Sequence, residues 1–159
     1  MSLENALEAQ EFQRRGQLRW ATFIVPLVPG GADRLRAVFR ERSARTSDPV
    51  EKVDTIHELR WVIFDNDTRA IFVTSWDGTL ESYLTDFQTK IPDLMHVMSK
   101  DIVGYPASGV QSPEWVDFLL QYYVPTIGFY SKTADVTNRR LDKALSVSDA
   151  FEKLLDAAG

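Results

Sequence analysis

The stretch HELRWVIFDNDTRAIFVTSWDG, residues 57–78, predicts a β-hairpin. Two runs rich in β-branched and aromatic residues, 53–65 and 69–76, lie on either side of the polar segment DNDT, residues 65–68. Asp and Asn suit a tight turn because their short side chains bond to the nearby backbone and tolerate its unusual angles. We therefore expect the two runs to pair as antiparallel strands.

The flanking sequence adds two strands and several helices. Residues 18–28 (LRWATFIVPLV) have the composition of a strand and are followed by Pro-Gly-Gly, and residues 125–132 (PTIGFYSK) predict a fourth strand. After Asp77-Gly78, which ends the third strand, either Asp77 or Thr79 is expected to cap a helix. Apolar residues recur at helical spacing in the remaining segments. The predicted helices are residues 32–45, 79–91, 93–102, 112–123, 135–147 and 148–158.

This order of elements predicts an α+β fold of the ferredoxin-like βαββαβ type, with one four-stranded antiparallel sheet. Additional helices lie before strand four and at the C-terminus. A chain of 159 residues is expected to form a single domain, 1–159, with its core at about 18–132 and its C-terminal helices at 134–158.

Both faces of the predicted sheet carry apolar residues. In the second strand Trp61 and Ile63 lie on one side, and Val62 and Phe64 lie on the other. A sheet that is wet on one side would alternate more cleanly. We therefore expect helices to cover one face and a second copy of the chain to cover the other, giving a homodimer.

The hairpin region resembles the dimeric α/β-barrel superfamily. The matching features are an H-x-x-R-W strand (His57, Arg60, Trp61), a W-D-G turn (76–78) and a Tyr-Leu pair (83–84) in the following helix. A group of largely uncharacterised bacterial proteins with this fold shares them. The superfamily includes cofactor-free monooxygenases, polyketide cyclases, lactone isomerases and haem enzymes. The G-x-x-D-G motif of its dye-decolourising peroxidases is absent here.

The resemblance implies a small soluble protein that binds a hydrophobic, oxygen-bearing small molecule, as a cofactor-independent monooxygenase, cyclase or isomerase. One alternative is a ligand-binding or accessory protein without catalysis. A second alternative is a haem-binding protein, in which His96 of the LMHVM segment is the axial ligand. Fold kinship alone cannot choose among these functions.

His57 and Arg60 are the candidate catalytic residues. A histidine can exchange a proton near neutral pH, and an arginine can hold a carboxylate or enolate. Their odd spacing places them on opposite faces of a regular strand unless a bulge intervenes. Glu58 shares the face of Arg60, so these two residues can instead form a structural ion pair.

Aromatic side chains supply the candidate ligand contacts. An apolar pocket between sheet and helices could be lined by amphipathic rings, with the loop at 103–111 as its lid. The candidate residues are Trp61, Trp76, Tyr83 and Tyr105.

Composition excludes several classes. The chain has no cysteine, so disulfides, thiolate catalysis and cysteine-ligated metal centres are impossible. The net charge of −5 disfavours a nucleic-acid partner, and no apolar run is long enough to span a membrane. The two histidines show no metal-ligand spacing. We expect a cytoplasmic protein that needs no metal or cofactor.

Overall fold

The computed structural model describes residues 18–158, and the predicted domain of 1–159 extends beyond them at both ends. The sheet has four strands in the order β2–β3–β1–β4, with every neighbouring pair antiparallel. This is the strand order of a ferredoxin-like βαββαβ unit, so the predicted α+β class is confirmed. The strands are β1 (Leu18–Pro26), β2 (Ile56–Phe64), β3 (Arg69–Asp77) and β4 (Tyr123–Val124).

Within residues 18–158, five α-helices and one short 3₁₀ helix accompany the sheet. Two of the α-helices, α3 and α4, are the additional helices expected before β4. The 3₁₀ helix (Pro49–Lys52) lies between α1 and β2. The α-helices are α1 (Gly31–Ser43), α2 (Leu80–Lys90), α3 (Pro92–Ser99), α4 (Pro113–Leu120) and α5 (Asn138–Ala158).

The hairpin turn forms at the predicted residues. Asp65, Asn66 and Asp67 all have positive φ, at 56°, 51° and 67°. The Asp67 carboxylate lies 2.6 Å from the Arg36 guanidinium, which ties the turn to α1. The hairpin prediction is confirmed because DNDT supplies residue types that tolerate this backbone region.

The predicted fourth strand at 125–132 is wrong. In this part of the chain only Tyr123 and Val124 pair with β1, opposite Phe23 and Thr22, and no further strand follows up to residue 158. Pro125 comes next and has no backbone N–H to donate, so it cannot extend the ladder. The composition of 125–132 suits a strand, but that segment leaves the sheet edge instead.

The C-terminal helices at 135–147 and 148–158 are one continuous helix, α5. The two-helix prediction is wrong because neither Gly nor Pro lies near the expected break. Ser148 is an exposed residue inside the helix, where serine costs little helical propensity.

The core lies between one face of the sheet and helices α1 to α4. The sheet contributes alternate residues of β1 and β3, and the helices contribute a layer of aromatic and aliphatic side chains. Trp76 and Tyr83 stack with their ring centroids 4.3 Å apart, which joins β3 to α2. Other central members are Phe23, Phe72, Leu80, Phe87, Met95, Trp115 and Leu120, each essentially inaccessible to solvent.

The opposite face of the sheet, here called the open face, is covered at one end by the chain itself. The Trp20 ring stacks on Phe129 at 3.7 Å, and the Leu18 amide donates to the Ala134 carbonyl. We call this covering segment, which contains Phe129 and Ala134, the strap. Beyond the strap, the cross-strand row of Val62, Ile71 and Ile24 is half-buried or exposed. The segment after β4 thus performs part of the covering that the sequence assigned to a partner.

Candidate functional site

A β-bulge at His57 decides the geometry of the candidate site. Ile56 lies opposite Trp76 and Glu58 lies opposite Ser75, so His57 is an extra residue in β2 with no counterpart in β3. In a regular strand, the alternation of side chains would have placed His57 on the face opposite the open face. The bulge interrupts this alternation. His57 contacts Asp77, which follows Ser75 on that face, and Arg60 lies opposite Val73 on the same side.

His57 and Asp77 form a shielded pair. His57 Nε2 and Asp77 Oδ1 are 3.0 Å apart, and the two side chains are only 11% and 12% exposed. Neither atom has a hydrogen-bond partner among the described residues, so the two groups are in close contact without a formed hydrogen bond. The Nδ1 atom of His57 has no hydrogen bond within residues 18–158, and we therefore treat it as the nitrogen available to a ligand.

Asp77 is held by the beginning of α5. Its Oδ2 accepts a hydrogen bond of 2.6 Å from the Asn138 backbone N–H. The Asn138 side-chain amide donates to the carbonyls of Asp54 and Ile56, which lie just before His57. The cap of α2 is Thr79, whose hydroxyl accepts from the Ser82 N–H. Asp77 therefore caps a helix distant in sequence and, at the same time, faces the histidine.

His57 lines a cleft of about 460 Å³ along the exposed edge of β2. The apolar part of its wall is formed by Val50, Val53, Ile56 and Leu59. Its charged lining comprises Arg42 and the carboxylates of Asp48, Glu51, Asp54, Glu58 and Asp142. One arginine against five carboxylates makes the cleft acidic, which favours a neutral or cationic ligand over an anion.

Arg42 and Asp48 form an ion pair in the wall of this cleft, with Arg42 Nη2 and Asp48 Oδ2 2.5 Å apart. Burial raises the pKa of Asp48, but hydrogen bonds from Arg42 and from the Val50 N–H outweigh it and hold that pKa below its usual value. Asp48 is therefore ionised at neutral pH, and its charge neutralises that of Arg42.

Arg60 is not brought into the cleft. Its guanidinium lies 3.8 Å from Glu58, and both side chains are 60% exposed. The expected Glu58–Arg60 pair therefore exists, but in water on the uncovered part of the sheet. At this exposure an ion pair contributes little to stability.

Trp76 and Tyr83 lie in the core. Trp76 is 0% exposed and Tyr83 2%. The Tyr83 hydroxyl is 2.5 Å from Thr74 Oγ1, and burial raises the pKa of the phenol far above its usual value despite that hydrogen bond. Tyr83 is therefore a neutral group throughout the physiological pH range.

Trp61 and Tyr105 lie apart from each other and from His57. Trp61 stacks on Phe72 at 4.8 Å and lines a groove between α1 and β2 together with Phe39. The hydroxyl of Tyr105 is 2.7 Å from His96 Nδ1, and its ring packs edge-on against Phe118. The four aromatic candidates are thus spread over three locations.

A second cavity, of about 350 Å³, lies between α1 and α3 and has a basic rim. Arg45 is 2.6 Å from Glu41, and Lys90 is 3.1 Å from Asp86, so these cations already have ion-pair partners. Lys52, which also lines it, has no ion pair among residues 18–158. This cavity lacks a shielded titratable pair comparable to His57 and Asp77.

Sequence reasoning missed Asn138 and Arg42 as parts of the site. Asn138 lay inside the predicted helix 135–147, and its contacts with Asp54, Ile56 and Asp77 span more than sixty positions. Arg42 belongs to an arginine-rich helix whose other cations face solvent. Neither residue type nor spacing distinguishes them from surface residues.

Within the described part of the chain, no helix is long and apolar enough to cross a membrane. The same residues contain no group of three or more His, Asp or Glu side chains arranged to hold a metal ion.

Comparison with known proteins gives one structural likeness. No protein-family model matches the chain, and no curated protein matches it. A solved structure of tetracenomycin F2 cyclase from Streptomyces glaucescens, a type-II polyketide cyclase, aligns with 70% of this chain and 96% of its own, at 10% identity and a TM-score of 0.47. A likeness at this level does not assign an activity.

Proposed function

We propose that this protein is a cofactor-independent enzyme that acts on a small, oxygen-bearing molecule, with His57 as its general acid–base. The single observation that supports the proposal most is the shielded contact between His57 and Asp77 at the acidic cleft. An imidazole that has one nitrogen against a carboxylate and the other open to a cleft has the arrangement that proton transfer requires.

Asp77 would act by orienting and stabilising His57. With the proton of neutral His57 on Nε2, the nitrogen beside Asp77, the lone pair lies on Nδ1, away from the carboxylate. When Nδ1 takes a proton from a substrate, the Asp77 carboxylate stabilises the imidazolium that forms. Asn138 holds Asp77 in place through its backbone N–H, so the pair is fixed before the substrate arrives.

The cleft favours particular substrates. Its apolar wall suits a hydrophobic body, and its carboxylates suit hydroxyl or ammonium donors. An anionic substrate would be repelled, so Arg60, outside the cleft, would not serve as an anion clamp. The substrate class would be neutral or cationic ketones, lactones and phenols, on which proton transfer at carbon or oxygen is the expected reaction.

The test exploits the presence of only two histidines. Imidazole resonances can be assigned with His57→Gln and His96→Gln, and a panel of neutral ketones, lactones and phenols can be screened for shifts of the His57 signal. Binding compounds are then assayed for exchange of carbon-bound hydrogen with deuterium. His57→Gln should lower the exchange rate by about 10²–10⁴-fold, and Asp77→Asn should lower it as well, whereas His96→Gln should not.

Two results would count against catalysis. If no compound moves the His57 signal, the cleft is not a ligand site. If compounds bind but His57→Gln leaves proton exchange unchanged, the pair is structural and the protein is a binding or accessory protein. The haem alternative predicts a Soret band on haem addition that His96→Gln removes.

We also propose that a second copy covers the remaining part of the open face. Val62 and Val124 are exposed there at 44% and 38%, and Ile24, Ile71 and Val73 lie between them in the sheet. An apolar sheet face of this kind is usually buried in an interface. With Leu145→Asp and Phe151→Asp in the background, so that the exposed apolar residues of α5 cannot hold two copies together, Val62→Asp should lower the solution mass measured by sedimentation. An unchanged mass in that background would contradict the proposal.

A further inference from the structure

Helix α5 carries an exposed apolar stripe. From Asp142 to Ala157 every residue is exposed, so the helix projects from the body after its first turn. Half of the ten exposed large apolar residues of the described chain belong to it. These are Leu145, Val147, Phe151, Leu154 and Leu155, each 56–68% exposed.

The stripe is one-sided. At 100° per residue its five large apolar residues fall within about half of the helix circumference. The opposite side carries Asp142, Ser146, Asp149, Lys153 and Asp156. A helix that is polar on one side and apolar on the other normally buries the apolar side, and within residues 18–158 nothing covers it.

The charge of α5 is divided between its halves. Residues 138–147 contain Arg139, Arg140 and Lys143 against Asp142, a balance of +2. Residues 148–158 contain Asp149, Glu152 and Asp156 against Lys153, a balance of −2. None of these charged groups forms an ion pair with another residue in 18–158.

We propose that α5 pairs antiparallel with α5 of a second copy of the chain. The antiparallel orientation sets each basic half against an acidic half, and both apolar stripes become buried between the helices. A parallel pair would set like charges side by side. The contact is isologous about a two-fold axis near Ser148, the midpoint of the helix, so it closes as a dimer contact.

The stripe, from Leu145 to Leu155, contains no residue of the open face and none of the His57 cleft, whose lining on α5 ends at Asp142. Its residues begin beyond Asn138, and its chemistry does not depend on catalysis. The two contacts between copies can share one two-fold axis or use two, so solution mass alone does not test the pairing. The test must therefore detect the helix contact itself.

The absence of cysteine makes single-cysteine variants clean reporters. Ser148→Cys lies within the stripe at the midpoint, and Ser146→Cys lies on the polar side as its matched control. Under mild oxidation of the full-length chain, Ser148→Cys should form the disulfide-linked dimer about tenfold faster or more, because pairing raises the effective thiol concentration above that in free solution. Adding Leu145→Asp and Phe151→Asp should remove the difference.

Orientation is tested by mixing two chains. Ala144→Cys and Glu152→Cys lie four residues on either side of Ser148, so antiparallel helices bring them together. The mixed disulfide should dominate over either self-linked product. Dominant self-linked products would show a parallel pair and overturn the proposal.

Charge reversal provides a further measurement. Arg140→Glu with Lys143→Glu makes the basic half acidic, and Asp149→Lys with Glu152→Lys makes the acidic half basic. In the Ser148→Cys background each reversed chain alone should cross-link more slowly, and their mixture should recover the original rate.

If Ser148→Cys cross-links no faster than Ser146→Cys, then residues 1–17, a lipid surface or another protein covers the stripe, and the proposal fails.

Discussion

The Tyr83 hydroxyl donates a hydrogen bond to Thr74 Oγ1 across 2.5 Å in the buried layer between β3 and α2. The direction follows from the partners, because the Thr74 hydroxyl donates its only proton to the Glu58 carbonyl at 3.0 Å. This chain of two bonds joins α2 to β2 one residue after the bulge that carries His57. The core thereby supports the candidate site from the opposite face of the sheet.

Thr74→Val should destabilise the protein more than Tyr83→Phe does. Valine removes the acceptor of a fully buried phenol, which should lower the free energy of unfolding by about 1–3 kcal/mol. Tyr83→Phe leaves the Thr74–Glu58 bond intact and should cost about 0.5–1.5 kcal/mol. Urea unfolding gives both values. The double variant should be no less stable than Thr74→Val, because it removes the stranded donor; strict additivity would contradict this network.

The hairpin illustrates what local sequence can predict. DNDT contains the residue types for positive φ at Asp65, Asn66 and Asp67, and the two flanking runs have strand composition. The stripe of α2, with Leu80, Tyr83, Leu84 and Phe87 buried, likewise follows from helical spacing. These features depend on residues that are close together in the sequence, so they can be predicted from a short stretch of it.

The strap over the open face yields a prediction at Phe129. Replacing it by alanine removes the stack on Trp20 and should lower the free energy of unfolding by about 1–3 kcal/mol. Acrylamide should then quench a larger share of the tryptophan fluorescence, because Trp20 loses its cover while Trp76 and Trp115 stay buried. Tyr130→Ala is the control, since Tyr130 is 79% exposed. Quenching that is equal in both variants would refute the strap as a cover.

The strap and the bulge show where local sequence is insufficient. Residues 125–132 have strand composition, but Pro125 ends the pairing and Phe129 finds a distant ring. His57 and Arg60 share a side of the sheet only because of a bulge. The bulge depends on how β2 pairs with β3, and the residue types at this position do not indicate it. Contacts such as Asp77–Asn138 are decided by the closed fold.

Asn138→Ala should loosen the beginning of α5. It removes hydrogen bonds of 2.9 Å to the Asp54 carbonyl and 3.1 Å to the Ile56 carbonyl, and keeps the backbone bond to Asp77. Two such bonds correspond to about 1–3 kcal/mol in the free energy of unfolding. Trypsin should also cleave faster after Arg139, which is measured by mass spectrometry. Ser146→Ala, on the same helix but far from the body, should leave the rate unchanged; equal acceleration in both would mean general fraying instead.

Asp48→Asn should make stability less dependent on pH in the acid range. The pKa of Asp48 lies below its usual value in the folded protein because the bonds from Arg42 and Val50 outweigh the effect of burial. A carboxyl group whose pKa is lowered by folding stabilises the folded state above its unfolded pKa, and this contribution is lost as pH falls through the folded value. The wild type should therefore exceed Asp48→Asn by about 0.5–1 kcal/mol near pH 7, a modest value because Asp48 is 39% exposed.

Near pH 2 this difference should shrink, since protonated Asp48 and the asparagine are both neutral. Denaturant unfolding at the two pH values measures this difference. Asparagine keeps an oxygen that can accept from the Val50 N–H, so the cap of the 3₁₀ helix is retained and only the charge is removed. Asp67→Asn is the matched comparison: the hydrogen bond from Arg36 also lowers the pKa of Asp67, but that pair lies on the exposed surface, where salt and water screen it, so its pH-dependent difference should be smaller. If the free energy of unfolding of the wild type exceeded that of Asp48→Asn by the same amount at both pH values, the Arg42–Asp48 contact would not stabilise the protein through charge. The cleft wall would then not carry the charges given to it here.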